Sequence, residues 1–164
     1  MQWVEPWLRG TLADLEPVRR AVLHALELAL EDAERWAGGL SEEQMFARPV
    51  GLPPVAFQLR HMARSQDRLL TYAEGGILSE AQMAALRSEM DGAGTAAEVM
   101  EEFRAGVRRA MERVRAVAPE NFGEVRGVGR AGLPSTVVGL LIHCAEHTQR
   151  HVGQMVTTVK VVVG

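Results

Sequence analysis

The sequence predicts an all-α protein, a four-helix bundle with short extra helices in its connections. Three observations support this class. Four long segments repeat their apolar residues every three or four positions, helix-start or helix-stop residues bound each one, and convincing strands are missing. Because each long segment has one apolar face, the four faces can enclose a common core. The 164 residues are expected to form one domain, 1–164.

Proline, glycine and capping residues bound these segments. The first long helix is expected over residues 14–36 and the second over residues 54–74, each followed by a Gly-Gly pair. The third is expected between a capping box at Thr95 and Pro119, and the fourth from about residue 136 to residue 155 or beyond. Capping boxes at Ser41 and Ser79 predict the short helices. The β-branched residues 156–163 favour a helical and an extended end about equally.

A glycine-rich segment from Gly127 to Gly132 matches the dinucleotide fingerprint G-x-G-x-x-G. That motif needs a preceding strand and a helix whose N-terminus receives the pyrophosphate. No strand is predicted before the segment, and Leu133 and Pro134 separate it from the next helix. We therefore interpret it as a flexible glycine loop.

Composition and charge exclude several classes of function. The net charge of −3 gives no electrostatic reason to expect a nucleic-acid partner. No apolar run is long enough to span a bilayer, and the N-terminus lacks a signal-peptide pattern. One cysteine, Cys144, excludes an internal disulfide framework. These features predict a cytoplasmic protein with no membrane or nucleic-acid partner.

Three of the five histidines recur every four residues on the last helix, at His143, His147 and His151. The outer two lie ~12 Å apart along the axis, whereas neighbours lie ~6 Å apart and can converge on a metal ion. On a helical wheel His147 and His151 point nearer the apolar face than His143, so we expect those two to form the pair. The alternative is a helix whose histidines bond to ordinary neighbours.

A third ligand has to come from another helix. His24 points away from the apolar stripe of the first helix and is expected at the surface. On the second helix, a polar strip borders the apolar face and consists of Gln58, His61, Ser65, Arg68 and Tyr72. Such a strip can line an internal cavity or border solvent, and the residues alone leave both interpretations open.

The pattern H-x3-H-x3-H-x-G-Q over residues 143–154 resembles the C-terminal signature of the DinB/YfiT-like family of damage-inducible, metal-dependent proteins. The segment FQLRHMARSQDRLL, residues 57–70, resembles that family's second helix, whose histidine is its first metal ligand. The resemblance spans about residues 12–155. It implies that His61, His147 and His151 are metal ligands and that His143 is not.

The resemblance also implies a kind of activity. Three imidazoles leave a coordination position free, and nitrogen ligands suit zinc or nickel, with iron, cobalt and copper as further options. Members of the family include thiol-dependent transferases and isomerases, so a low-molecular-weight thiol is an implied co-reactant. The expected function is a metal-dependent enzyme of the S-transferase or hydrolase type that acts on a small molecule. The alternative is a non-enzymatic stress-response bundle that binds a metal or a small ligand.

Weaker candidates for contacts with the ligands or a substrate are His143, Glu146, Arg68 and Gln154. Arg68 or Arg64 can bind an anionic group, although a surface arginine is the commoner interpretation. Cys144 is expected to be a small buried hydrophobe, with a metal ligand or redox thiol as the less favoured alternative. A homodimer is expected, because exposed bundle helices often pair and family members commonly do so.

Overall fold

The computed structural model describes residues 3–164 and is predominantly helical, as predicted. Its long helices are α1 (Pro17–Ala37), α3 (Val55–Ala73), α5 (Ala96–Ala116) and α6 (Val137–Val163). Two short helices, α2 (Glu42–Phe46) and α4 (Glu80–Arg87), lie in the connections where capping boxes predicted them. None of these helices is both long and apolar enough to cross a membrane.

One apolar core lies between the long helices. Helix α3 contacts both α5 and α6, and α1 contacts the same two helices. The core contains the apolar stripes expected from the sequence, with Leu26, Leu59, Phe103 and Leu141 all fully buried. Burial of a large apolar side chain contributes about 1.5–3 kcal/mol. The stripes, rather than any single polar contact, therefore hold the helices together.

The expectation that strands are missing is wrong at one place. Strands β1 (Val125–Val128) and β2 (Leu133–Thr136) form an antiparallel hairpin before α6. Gly129 and Gly132 have φ values of +70° and +58°, and they close the four-residue loop between the strands. Glycine adopts this left-handed backbone without a steric cost. The G-x-G-x-x-G segment, interpreted from the sequence as a flexible glycine loop, is thus the end of the first strand and the loop of a hairpin.

The valine-rich end of the chain is helical. Helix α6 continues to Val163, and Thr158 and Val159 are buried. Lys160 Nζ lies 5.0 Å from the centre of the Trp36 ring at the end of α1. Contact with α1 therefore overrides the β-branched character of this segment.

We expect Gly106→Ala to lower the free energy of unfolding by about 1–2 kcal/mol. A Cβ at this position on α5 would lie 2.7 Å from Ala63 Cβ on α3, so the two helices would have to separate. Gly153→Ala is the matched control, because a Cβ there meets no heavy atom within 4 Å. The control is expected to gain up to about 1 kcal/mol from helix propensity. Urea denaturation measures the free energy of unfolding of both variants. A Gly106→Ala protein more stable than the wild type would contradict the close approach of α3 and α5.

Candidate metal centre

Three half-buried histidines from two helices meet at the α3–α6 contact. His61 lies on α3, and His147 and His151 lie one turn apart on α6. One nitrogen atom of each ring lies within 4.8 Å of the other two, and His61 Nε2 is 3.4 Å from His147 Nε2. The structure therefore brings together the three residues that were expected to be ligands.

The second nitrogen of each ring faces an oxygen atom. The Nδ1 distances are 2.7 Å from His61 to Glu89 Oε2, 2.6 Å from His151 to Gln58 Oε1 and 3.4 Å from His147 to Ser65 Oγ. A neutral imidazole that donates its Nδ1–H to such an oxygen keeps the Nε2 lone pair free. All three rings can therefore present Nε2 to one common point.

The separation of the nitrogen atoms suits a tetrahedral ion. Two nitrogen ligands at ~2.0–2.1 Å from zinc lie about 3.3 Å apart in tetrahedral geometry. The 3.4 Å between His61 Nε2 and His147 Nε2 is close to that value. Three neutral nitrogen ligands are a donor set for zinc or another late transition metal rather than for magnesium or calcium. The residues present fit such a metal.

Burial keeps the two α6 histidines uncharged. Desolvation, reinforced by the neighbouring His61, lowers the pKa of both His147 and His151 to about 4. Both rings are therefore neutral at pH 7. Metal binding requires this form, because a protonated imidazole has no free lone pair.

Glu89 is a buried carboxylate that the sequence did not single out. It lies in the turn after α4, and its two oxygen atoms accept hydrogen bonds of 2.7 Å from His61 and from Arg68. Burial raises the pKa of Glu89, but the hydrogen bonds from His61 and Arg68 outweigh it and hold the pKa below its ordinary value. An ionised Glu89 fixes the ring of His61. No periodic pattern marked this residue, since only the tertiary fold brings its turn to α3.

Three arginines one turn apart on α3 hold the connection between α4 and α5. Arg60 donates to Asp91 O at 2.8 Å, and Arg64 donates to Ala85 O at 2.7 Å. Arg68 binds Glu89 itself. The guanidinium groups of Arg64 and Arg68, candidates for an anionic substrate, are thus engaged within the protein and position the turn that carries Glu89.

A sequence comparison agrees with this geometry. The profile of the DinB superfamily matches residues 25–155, which include all three histidines. The chain belongs to the DinB superfamily. No individual curated protein matches it, so DinB membership establishes the family but not a substrate.

His143, Glu146 and Gln154 are not members of the histidine cluster, although the ring of His143 lies 5.4 Å from that of His147, centre to centre. His143 is 46% exposed, and its Nδ1 lies 2.9 Å from Glu146 Oε2. Glu146 also pairs with Arg150 on the exposed side of α6. Gln154 lines a cavity together with Gln58. None of these residues belongs to the group of nitrogen atoms that His61, His147 and His151 form.

The expectation that His24 lies at the surface is wrong. The side chain is buried, and its Nε2 lies 3.2 Å from Thr11 Oγ1. The segment before α1 folds back along that helix, since Trp3 Nε1 donates to Glu31 at 3.1 Å. Helix periodicity could not reveal this cover, because the segment has no regular pattern of its own.

Cys144 is expected to be chemically inert in the folded protein. It is fully buried, and burial raises the pKa of its thiol to about 12, whereas the thiolate is the nucleophile. At pH 8, Ellman's reagent should label it only after unfolding in guanidinium chloride. Because its folded pKa lies above the ordinary 9.0, its contribution to stability is present below pH 9 and is lost as the pH rises toward 12. Rapid labelling of the folded chain would contradict this burial.

Proposed function

We propose that this DinB-superfamily protein is a metal-dependent enzyme that acts on a small molecule. His61, His147 and His151 would hold one divalent ion. The observation that carries the proposal is the convergence of three nitrogen atoms from α3 and α6, each ring having an oxygen beside its other nitrogen. We further propose that the four long helices are the DinB-type four-helix bundle and that residues 1–164 are one domain.

Three protein ligands leave a coordination position for a reactant, as in catalytic rather than structural sites. A zinc or nickel ion held by the three histidines would supply Lewis acidity toward a thiol, a water molecule or a substrate oxygen in that position. The chain's own part is to hold the ligands: Glu89 orients His61, Gln58 orients His151, and Ser65 lies beside His147. Iron, cobalt and copper also suit this donor set.

The surroundings favour thiol transfer over hydrolysis. A nearby base assists the loss of a proton from metal-bound water, and the carboxylate that the structure places beside the cluster is Glu89. One of its oxygen atoms accepts a hydrogen bond from His61 and the other accepts one from Arg68. A thiol loses its proton far more readily than water, so it depends less on such a base. We therefore propose an S-transferase that uses a low-molecular-weight thiol.

Because Glu89 is hydrogen-bonded to His61 and Arg68, it also supports a second candidate function. A site without a free base also suits a protein that binds a metal or a small ligand without catalysis, in the manner of a stress-response bundle. Turnover by metal-loaded protein with a thiol and an electrophile separates the two candidates. A homodimer, a cytoplasmic location and the absence of a nucleic-acid partner stay predictions.

Purified without a histidine tag, the protein is expected to contain close to one metal ion per chain. The double variant His147→Ala/His151→Ala should lose this metal, because only His61 would remain as a ligand. His143→Ala is the matched control, since it removes an exposed histidine from the same helix and should retain the metal. Plasma mass spectrometry measures the content. If wild-type protein stayed metal-free after reconstitution with zinc and with nickel, the enzyme proposal would be dropped.

Glu89→Gln is expected to weaken zinc binding by about 10–100-fold, because the amide orients His61 less strongly than a carboxylate. Competition with a chromophoric chelator measures the affinity, and circular dichroism confirms the fold. Glu34→Gln is the control, since Glu34 pairs with Arg104 at the surface and contacts neither a ligand histidine nor the arginines that hold the turn of Glu89. Equal zinc affinity in wild-type and Glu89→Gln protein would remove Glu89 from the site.

A further inference from the structure

A cavity of about 380 Å³ lies next to the histidine cluster. Leu52 and Pro53, just before α3, form one side, and residues of the second half of α6 form the other. Pockets for small ligands range from about 300 to 1,000 Å³, so this one suits a small molecule. None of the three histidines lines it.

Gln58 lines the cavity and also contacts His151 of the histidine cluster. Its side chain is 1% exposed, and its Oε1 accepts the Nδ1–H of His151 at 2.6 Å. That is the one hydrogen bond the structure gives this amide, so its two N–H donors are left for another acceptor. Since the side chain lines the cavity, a ligand oxygen there can supply that acceptor.

The charge of the lining favours an anion. Arg150 is its one charged side chain, and the other polar members are the amides of Gln58 and Gln154 and the hydroxyls of Thr157 and Thr158. Arg150 already pairs with Glu146, yet a guanidinium has five donors and can bind a second carboxylate. The apolar side chains of Leu52 and Pro53 complete the wall.

Gly153 contributes no side chain to the cavity wall. It lies within α6, where glycine costs about 1 kcal/mol relative to alanine. A Cβ at this position would meet no heavy atom within 4 Å, so close packing does not require the glycine. The missing side chain leaves space on the face of α6 that lines the cavity.

We propose that this cavity binds the carboxylate-bearing part of the small molecule on which the protein acts. Arg150 receives the carboxylate, the Gln58 amide donates to a carbonyl oxygen, and Leu52 and Pro53 contact an apolar part. This inference rests on the proposed function, because the cavity matters for reaction only through its position beside His151. It names the substrate class as small carboxylic acids with an apolar body.

Two probes of nearly equal size, one with a carboxylate and one with a carboxamide in its place, test the cavity without involving a thiol. N-acetyl-L-leucine carries a carboxylate, a carbonyl and an apolar side chain, and N-acetyl-L-leucinamide lacks the charge. Calorimetric titration of wild-type protein should show about twofold to fivefold tighter binding of the acid, the range of a partly exposed ion pair. Arg150→Gln should abolish this preference, whereas Arg130→Gln, at an exposed arginine outside the cavity, should keep it.

A second test of the cavity varies the volume of the side chain at position 153. Gly153→Leu should weaken binding of both probes by about tenfold or more, because the side chain fills the space. Gly153→Ala should weaken it far less. Equal binding of acid and amide by the wild type, or unchanged binding by Gly153→Leu, would overturn the proposal.

Metal content of each variant separates this inference from the proposed function. The substitutions at positions 130, 150 and 153 leave the ligand histidines in place, so all four variants should load zinc like the wild type. Zinc loading without probe preference would overturn the cavity proposal alone. Probe preference in a protein that cannot load zinc would support the cavity as a carboxylate site and overturn the metal-dependent function.

Discussion

The contact between α3 and α6 is the constraint on which the site depends. Gln58 contacts His151, and Ser65 contacts His147, so the two helices run antiparallel with a fixed register. About one turn of α6, from His147 to His151, thus faces about two turns of α3, from Gln58 to Ser65. A shift of either helix by one turn, about 5.4 Å, would separate the nitrogen atoms beyond the reach of one ion. Register along this pair, rather than any single histidine, creates the cluster.

A buried polar pair strengthens this register. Gln66 Nε2 donates to Thr148 Oγ1 at 3.0 Å, and both side chains are buried between α3 and α6. Thr148 in turn donates to Cys144 O at 2.7 Å. The free energy of the protein rises when a buried polar group loses its hydrogen-bond partner. This contact therefore disfavours sliding of one helix along the other. The apolar core supplies cohesion, whereas these polar contacts specify alignment.

The turn that carries Glu89 is stabilised by ion pairs and hydrogen bonds that offset the burial of its carboxylate. A buried carboxylate is stable only with charged or hydrogen-bonding partners, and Glu89 has both Arg68 and His61. Arg60 and Arg64 bind backbone carbonyls on either side of that turn. One face of α3 thus serves two purposes at once: His61 belongs to the cluster, and the arginines hold the turn that orients it.

The sequence by itself determined the helical class, the capped helix starts and the pairing of His147 with His151, whereas His61 was added by the family resemblance. Apolar periodicity, capping residues and the spacing of histidines within a helix are local, so they can be read from the chain. Only the tertiary structure decided that residues 129–132 close a hairpin, that His24 is covered, that residues 156–163 stay helical, and that Glu89 reaches His61. The hairpin depends on the pairing of two adjacent strands, and the other three outcomes depend on contacts between separate segments, whose free energy outweighs the local preferences of the residues involved.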